Sequence, residues 1–246
     1  MAKGPRKHLK RLAAPWHWPI RRKEHPFTIR TNPGPHRLRE SIPLGLVVQD
    51  LLQLTKTNNE TRGVIARGAV KVDGKICKDY KRPIGLMDVV EVPEVNIRTR
   101  VLPARRHLLR LHPISQKETD VKLCKIEGKS SVAKGNIQLH LHDGRVIVLP
   151  VKDPKAAPKE NYRCGDSLLI TVPDQAIRNH VPLKEGITVV ITGGIDTSFM
   201  GKLTRIDAET GLCAVEGAEG KTILTATQYV FPLGEEKPLV SVKEAG

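Results

Sequence analysis

The spacing of apolar residues changes twice along this chain. From Ser41 it is helical: Leu44, Val47, Val48, Leu51 and Leu52 recur at i, i+3, i+4, i+7 and i+8 and predict one buried stripe. Thr57-Asn58-Asn59-Glu60 has the spacing of a capping box, with Thr57 capping a second helix and Glu60 reaching back. Val64 and Ile65 supply that helix's core contacts, and Gly68 ends it as a left-handed cap. The period then drops to two. Val70-Lys71-Val72 predicts a short strand, Asp73-Gly74 a hairpin turn, and Val89 to Val92 a returning strand. Two helices and a small sheet predict a compact α+β module over residues 41–104.

Beyond a basic link at Arg105, Arg106 and Arg110 the pattern is β throughout. Val121 to Ile126, Asn136 to His142, Arg145 to Leu149 and Ser167 to Val172 predict strands of a central β-rich domain, 105–178. Asp143-Gly144 marks a hairpin, and Lys152 to Lys159 reads as a loop. Residues 179–234 predict a last small β-barrel, with strands at Thr188 to Thr192, Lys202 to Asp207, Cys213 to Glu216 and Lys221 to Ala226, punctuated by glycines. Residues 235–246 form a polar tail, expected to be disordered. The expected whole is an α+β multidomain chain with an extended arm in front.

Charge gives that arm its meaning. Residues 1–40 hold eleven Lys and Arg against Glu24 and Glu40, a surplus of +9 within a total of +15 over 246 residues. Residues 184–246 reverse the sign, with six basic and nine acidic groups. A segment as basic as the arm repels itself and cannot bury a core alone, so disorder and a polyanionic partner are expected. RNA fits best. Aromatic residues are only 3% of the chain, which favours phosphate and shape contacts over base stacking.

The region 41–92 resembles the alpha-L RNA-binding domain. Val64-Ile65-x-x-Gly68-x-Val70-x-Val72-Asp73-Gly74 carries the resemblance, with Met87 to Val92 where that family has Gly-Asp and a strand. Thr57-Asn58 replaces the family's usual Ser-Arg, so one cation is absent from the expected face. Residues 186–206 resemble a KOW motif through Gly186, Val189, Ile191, Gly193, Gly194, Gly201, Leu203 and Ile206. Its loop, Ile195 to Met200, lacks the usual basic residues, and a Phe199-Met200 tip suits a protein contact or burial. The arm Gly4 to Pro15, Pro33-Gly34-Pro35-His36 before the alpha-L module, the central Leu-His-Asp-Gly-Arg hairpin at 141–145 and the KOW-like end together resemble small-subunit ribosomal protein four of the archaeal and eukaryotic type.

That resemblance implies a non-enzymatic part of the small ribosomal subunit, cytoplasmic, bound to small-subunit rRNA and neighbouring ribosomal proteins. The expected RNA contacts are Lys3, Arg6, Lys7, Lys10, Arg11, Arg21, Arg22, Lys23, Arg37 and Arg39 of the arm. To these the module adds Arg62, Arg67, Lys71 and Lys75, and the region beyond it Arg105, Arg106 and Arg145. Trp16 or Trp18 is expected to pack on sugar, base or protein.

Other classes fit less well. Four single cysteines, Cys77, Cys124, Cys164 and Cys213, form no CxxC pair, which argues against structural zinc and for reduced thiols. His140 and His142 have a spacing that could seat a metal, but no further ligand stands out, so neither metal nor cofactor is expected. No apolar run approaches the roughly 18 residues of a membrane span. The basic start has no apolar h-region, and Pro5, Pro15, Pro19 and Pro26 break any amphipathic presequence helix. There is no Walker loop, GxSxG or HExxH. An alpha-L module can be an appendage of a pseudouridine synthase, yet no convergent polar site accompanies it here. Asp73, Asp88 and Asp143 each read as a residue of a turn or a strand start.

Overall fold

In the computed structural model, the residues described are 9–105, 108–150, 162–207, 209–217 and 220–242. From Leu9 the arm has little regular structure, as expected, but it packs against the α+β module instead of standing clear of it. Strand β1 (Leu9–Lys10) pairs antiparallel with β2 (Phe27–Thr28). Trp18, Ala14 and Ile29 are buried in one cluster with Leu44, Val47, Ile65, Val70 and Val101. The arm thus borrows the core that its own composition denies it. Trp18 donates its indole N–H to the Ser41 carbonyl at 2.8 Å, and His17 sits 3.2 Å from the same oxygen.

The α+β module starts with β3 (Ile42–Pro43), a short α1 (Leu44–Leu46) continued by a π-helical turn over Val47–Leu51, and α2 (Asn58–Ala66). The first helix is therefore shorter than its stripe suggested, though Leu44, Val47 and Val48 are buried as expected. Thr57 caps α2 by accepting from the Glu60 N–H at 3.3 Å. Glu60 reaches back one residue further than expected, to the Lys56 N–H at 3.0 Å. Gly68 closes the helix at φ +82°, and its N–H donates to the Ile65 carbonyl.

Then come β4 (Lys71–Val72), β5 (Lys75–Ile76), β6 (Pro83–Ile84), which pairs with β3, and β7 (Val89–Val92). The chain continues into β8 (Ile97–Ala104) and β9 (Leu108–Pro113), giving a five-stranded sheet ordered β5-β4-β7-β8-β9. The segment expected to be a basic link is thus the β8–β9 hairpin, with Arg105 exposed at its turn.

The central sheet follows the four expected strands in β10 (Val121–Ser131), β11 (Ile137–Leu141), β12 (Val146–Leu149) and β13 (Ser167–Thr171). It adds β14 (Ile177–Val181), which was not expected and which crosses the expected boundary at 178; the order is β12-β11-β10-β13-β14. The expected loop at 152–159 lies outside the described residues. The last module holds β15 (Thr188–Ile191), β16 (Met200–Asp207), β17 (Leu212–Glu216), β18 (Thr222–Ala226) and β19 (Val230–Gly234), in the order β18-β17-β16-β15-β19.

Strand alternation joins the modules. In β19, Val230 enters the last module's own core while Phe231 and Leu233 turn outward. Val189 and Val190 of β15 divide the same way. The outward residues meet Met87, Leu102 and Leu123 in a shared cluster that touches all three sheets. The tail joins it too. Val240 is buried there, and Ser241 donates from its N–H and its hydroxyl to Glu118 at 3.1 and 2.7 Å. Residues 239–242 are therefore docked, whereas the sequence suggested disorder.

Candidate nucleic-acid interface

The expected contact residues fall into three groups. Lys3, Arg6, Lys7 and Arg106 lie outside the described residues. A second group is exposed: Lys10, Arg21, Lys23, Arg37 and Arg39 on the arm, Arg62, Arg67 and Lys75 on the α+β module, and Arg105. Lys71 is half-buried, and Glu91 is its cross-strand neighbour on β7, which offsets part of its charge. Arg62 is held in place: its guanidinium lies 4.5 Å from the centre of the Tyr80 ring and donates to the Tyr80 hydroxyl at 2.8 Å. Lys81 lies over the same ring at 5.6 Å. The sequence reading missed Tyr80 and Lys81 because they sit in the irregular stretch between β5 and β6.

The third group points inward and corrects the reading. Arg11 is buried. It donates from Nε to the Arg21 carbonyl and pairs with Glu24 at 3.6 Å. Arg22 binds the carbonyls of Leu12, Ala14 and Pro15, each at 3.0 Å. These two arginines stitch the arm to itself, and their internal partners take up the donors that phosphates would have used.

Arg145 also faces inward, into a buried charge cluster. At its centre the Lys122 ammonium donates to Asp73 at 2.9 Å and Asp88 at 2.5 Å, and lies 2.9 Å from Asp143. Arg145 bridges Asp73 at 2.6 Å and Asp143 at 2.9 Å. His36 of the arm donates from Nε2 to both carboxylate oxygens of Asp88 at 3.0 Å. Its ring comes that close because Gly85 has no side chain; a Cβ there would collide with it.

Local folding explains the convergence. Asp73 and Gly74 both have positive φ, as a two-residue hairpin turn demands, and the Asp73 carboxylate also accepts the Val89 N–H. Asp88 stands just before β7, Asp143 at the β11–β12 turn, and Lys122 on β10. The turn aspartates of two sheets thus share one lysine.

Burial is the largest single effect and would raise the carboxylates, but Lys122 together with His36 at Asp88 and with His142 and Arg145 at Asp143 overcomes it, holding Asp143 down at about 2 and Asp88 well below the usual carboxylate range. Burial would likewise lower Lys122, and the three aspartates raise it instead. His142 is pulled down to about 4 by burial, against the weaker opposing pull of Asp143. Its hydrogen bonds agree with a neutral ring: Nδ1 accepts the Lys125 N–H at 3.2 Å and Nε2 donates to the Leu86 carbonyl at 3.1 Å.

Cys124, His142 and Asp143 place one donor atom each within 4.8 Å of one another, the spacing of a metal site. Their chemistry does not fit one. Both His142 nitrogens are engaged, and the nearby cations on Asp143 are Lys122 and Arg145. His140 turns instead to Ser130 at 2.9 Å. The carboxylates are tied to cations and hold modules together, an arrangement suited to structure rather than to proton transfer.

In the last module, Lys125 of β10 donates to the carbonyls of Gln228 and Val230 at 2.8 and 2.6 Å and ties the two sheets together. Phe199 and Met200 do not form an exposed tip. They pack on the cores, and Ile195 is the exposed residue of that loop.

Comparison with known proteins gives a consistent answer. The Ribosomal family S4e matches residues 96–177, and the RS4NT (NUC023) domain matches residues 3–39. Small ribosomal subunit protein eS4 of Methanocaldococcus jannaschii is 42% identical over 243 residues, 98% of this chain and 99% of the relative. Its counterpart in Desulfurococcus amylolyticus is 40% identical over 245 residues, 98% of this chain and 97% of the relative. The crystal structure of the 30S ribosomal protein S4e from Thermoplasma acidophilum aligns with a TM-score of 0.66 at 30% identity, covering 80% of this chain and 96% of that one. The chain belongs to the S4e family of small-subunit ribosomal proteins.

Proposed function

We propose that the chain is a structural, non-enzymatic component of the small ribosomal subunit that grips small-subunit rRNA with its arm and its alpha-L-like module. One observation carries the reading: the cations sort by burial. Arg11, Arg22, Arg145 and Lys122 are used up inside the protein, while Lys10, Arg21, Lys23, Arg37, Arg39, Arg62, Arg67 and Lys75 remain exposed. Phosphate contacts of this kind set position and affinity rather than sequence choice. Arg62, stacked on Tyr80, is pre-oriented for a phosphate, so less freedom is lost when it binds.

The KOW-like module has a different role in this account. Residues 184–246 carry a net charge of −3, so the module sits at the particle's periphery against protein or an RNA edge.

Sedimentation of a cell extract tests the proposal. The chain should travel with small subunits and be stripped from them by high salt. A chain found only among free proteins at low salt would overturn the proposal.

A further inference from the structure

We propose that a cleft between the arm, the central sheet and the last module receives one unstacked base of single-stranded ribosomal RNA, with Trp16 as its stacking platform. This rests on the rRNA-binding reading above. The cleft encloses about 860 Å³, and Trp16, Arg37, Arg39, Lys125 and Tyr229 all line it. Pockets for small ligands span about 300–1,000 Å³.

Trp16 is 68% exposed, although its sequence neighbours are fixed. Arg22 clamps the carbonyls of Ala14 and Pro15 just before it. His17 and Trp18, just after it, are anchored on the Ser41 carbonyl. The His17 ring also meets the indole edge-on, with centroids 5.9 Å apart. The arm therefore uses one internal arginine and two buried rings to hold an exposed aromatic face steady. A platform fixed in advance gives up little freedom on binding.

Tyr229 adds a second ring, 38% exposed. It lies against Gly193, where any side chain would collide with it. Glycine at this point of the KOW-like frame thus makes room for an aromatic at the cleft wall.

Arg39 and Arg37, the latter 3.9 Å from Glu40, bring exposed guanidinium groups to the cleft, while the Lys125 ammonium is already spent on the carbonyls of Gln228 and Val230. Rings beside cations suit a nucleotide, because every base offers a π-face and carries a phosphate. A duplex keeps its bases stacked and cannot fill such a site. The scarcity of aromatic residues limits the platform to one base rather than a run.

The test uses the full chain and two probes: a single-stranded RNA decamer with a central 2-aminopurine, and the same sequence as a duplex. Trp16→Ala should weaken binding to the single strand by roughly 5- to 150-fold, the size of one lost base stack. It should abolish the 2-aminopurine fluorescence change and leave the salt slope, the duplex affinity and the melting temperature unchanged. Trp16→Phe should retain most of the affinity. Single-strand binding by Trp16→Ala within about two-fold of the parent chain would overturn the proposal and mean that protein covers the cleft. Equal losses on both probes would overturn it as well, because Trp16 would then act through the fold. If the unaltered chain binds neither probe, the rRNA-binding reading fails first.

Discussion

Lys122 shows how much one buried residue can hold. Its ammonium answers aspartates from two sheets, and His36 of the arm shares one of them. Lys122→Met removes the central cation and leaves carboxylates buried without it, a change expected to cost about 3–5 kcal/mol. Thermal or urea unfolding measures that cost, which should shrink in acid as the carboxylates become protonated. A loss below about 1 kcal/mol would mean that Arg145 and His36 balance the cluster without Lys122.

His142 gives a separate pH dependence. Its folded pKa of about 4 lies below its ordinary value of 6.5, so its contribution is present above pH 6.5 and disappears as pH falls toward 4. Asp143 and Asp88, both depressed, lose theirs only below about pH 4. His142→Gln should flatten stability between pH 6.5 and 4. The residual slope is expected from His17, which burial also lowers against its bond to Ser41. An unchanged slope in His142→Gln would show that His142 is not held neutral.

Among elements, local signals were legible and long-range ones were not. The strand at Val89–Val92, the Asp73-Gly74 turn, the Thr57 cap and the central strands follow from neighbours a few residues apart. The inward turn of Arg11, Arg22 and Arg145 does not. In sequence, a basic residue beside a turn looks the same whether it meets phosphate, a carbonyl or a carboxylate supplied 72 positions away, as Asp73 is for Arg145. The arm misled for a related reason. Its apolar residues are too few for a core of their own but enough to fill a gap in a neighbour's. Trp18→Ala should therefore cost about 3–5 kcal/mol of unfolding free energy even without RNA. A cost near zero would restore the disordered arm.

Within the α+β module, roles should separate. Ile65→Ala, on the buried face of α2, should lower stability by about 2–5 kcal/mol. Charge reversal at exposed Arg67 should weaken rRNA binding with little change in melting temperature. Similar behaviour of the two variants would refute the division.

For the whole molecule, the central claim is that binding cations and structural cations are different residues on one interlocked scaffold. The shared cluster of Met87, Leu123, Phe231 and Val240 and the Lys122 network join the modules, so exposed charges on the arm and on α2 act from a common frame. The last module, short of cations, should contribute little. Neutralising Lys202, Arg205 and Lys221 together should reduce the salt slope by less than about one unit.

The most direct measurement is the salt dependence of full-chain binding to small-subunit rRNA. It compares the parent with a variant in which Lys10, Arg21, Lys23, Arg37 and Arg39 are replaced by Gln. Each lost phosphate contact should lower the slope of log affinity against log salt by about 0.7–0.9. The account predicts a drop of several units at an unchanged melting temperature. An unchanged slope would contradict it and place the RNA contacts elsewhere on the chain.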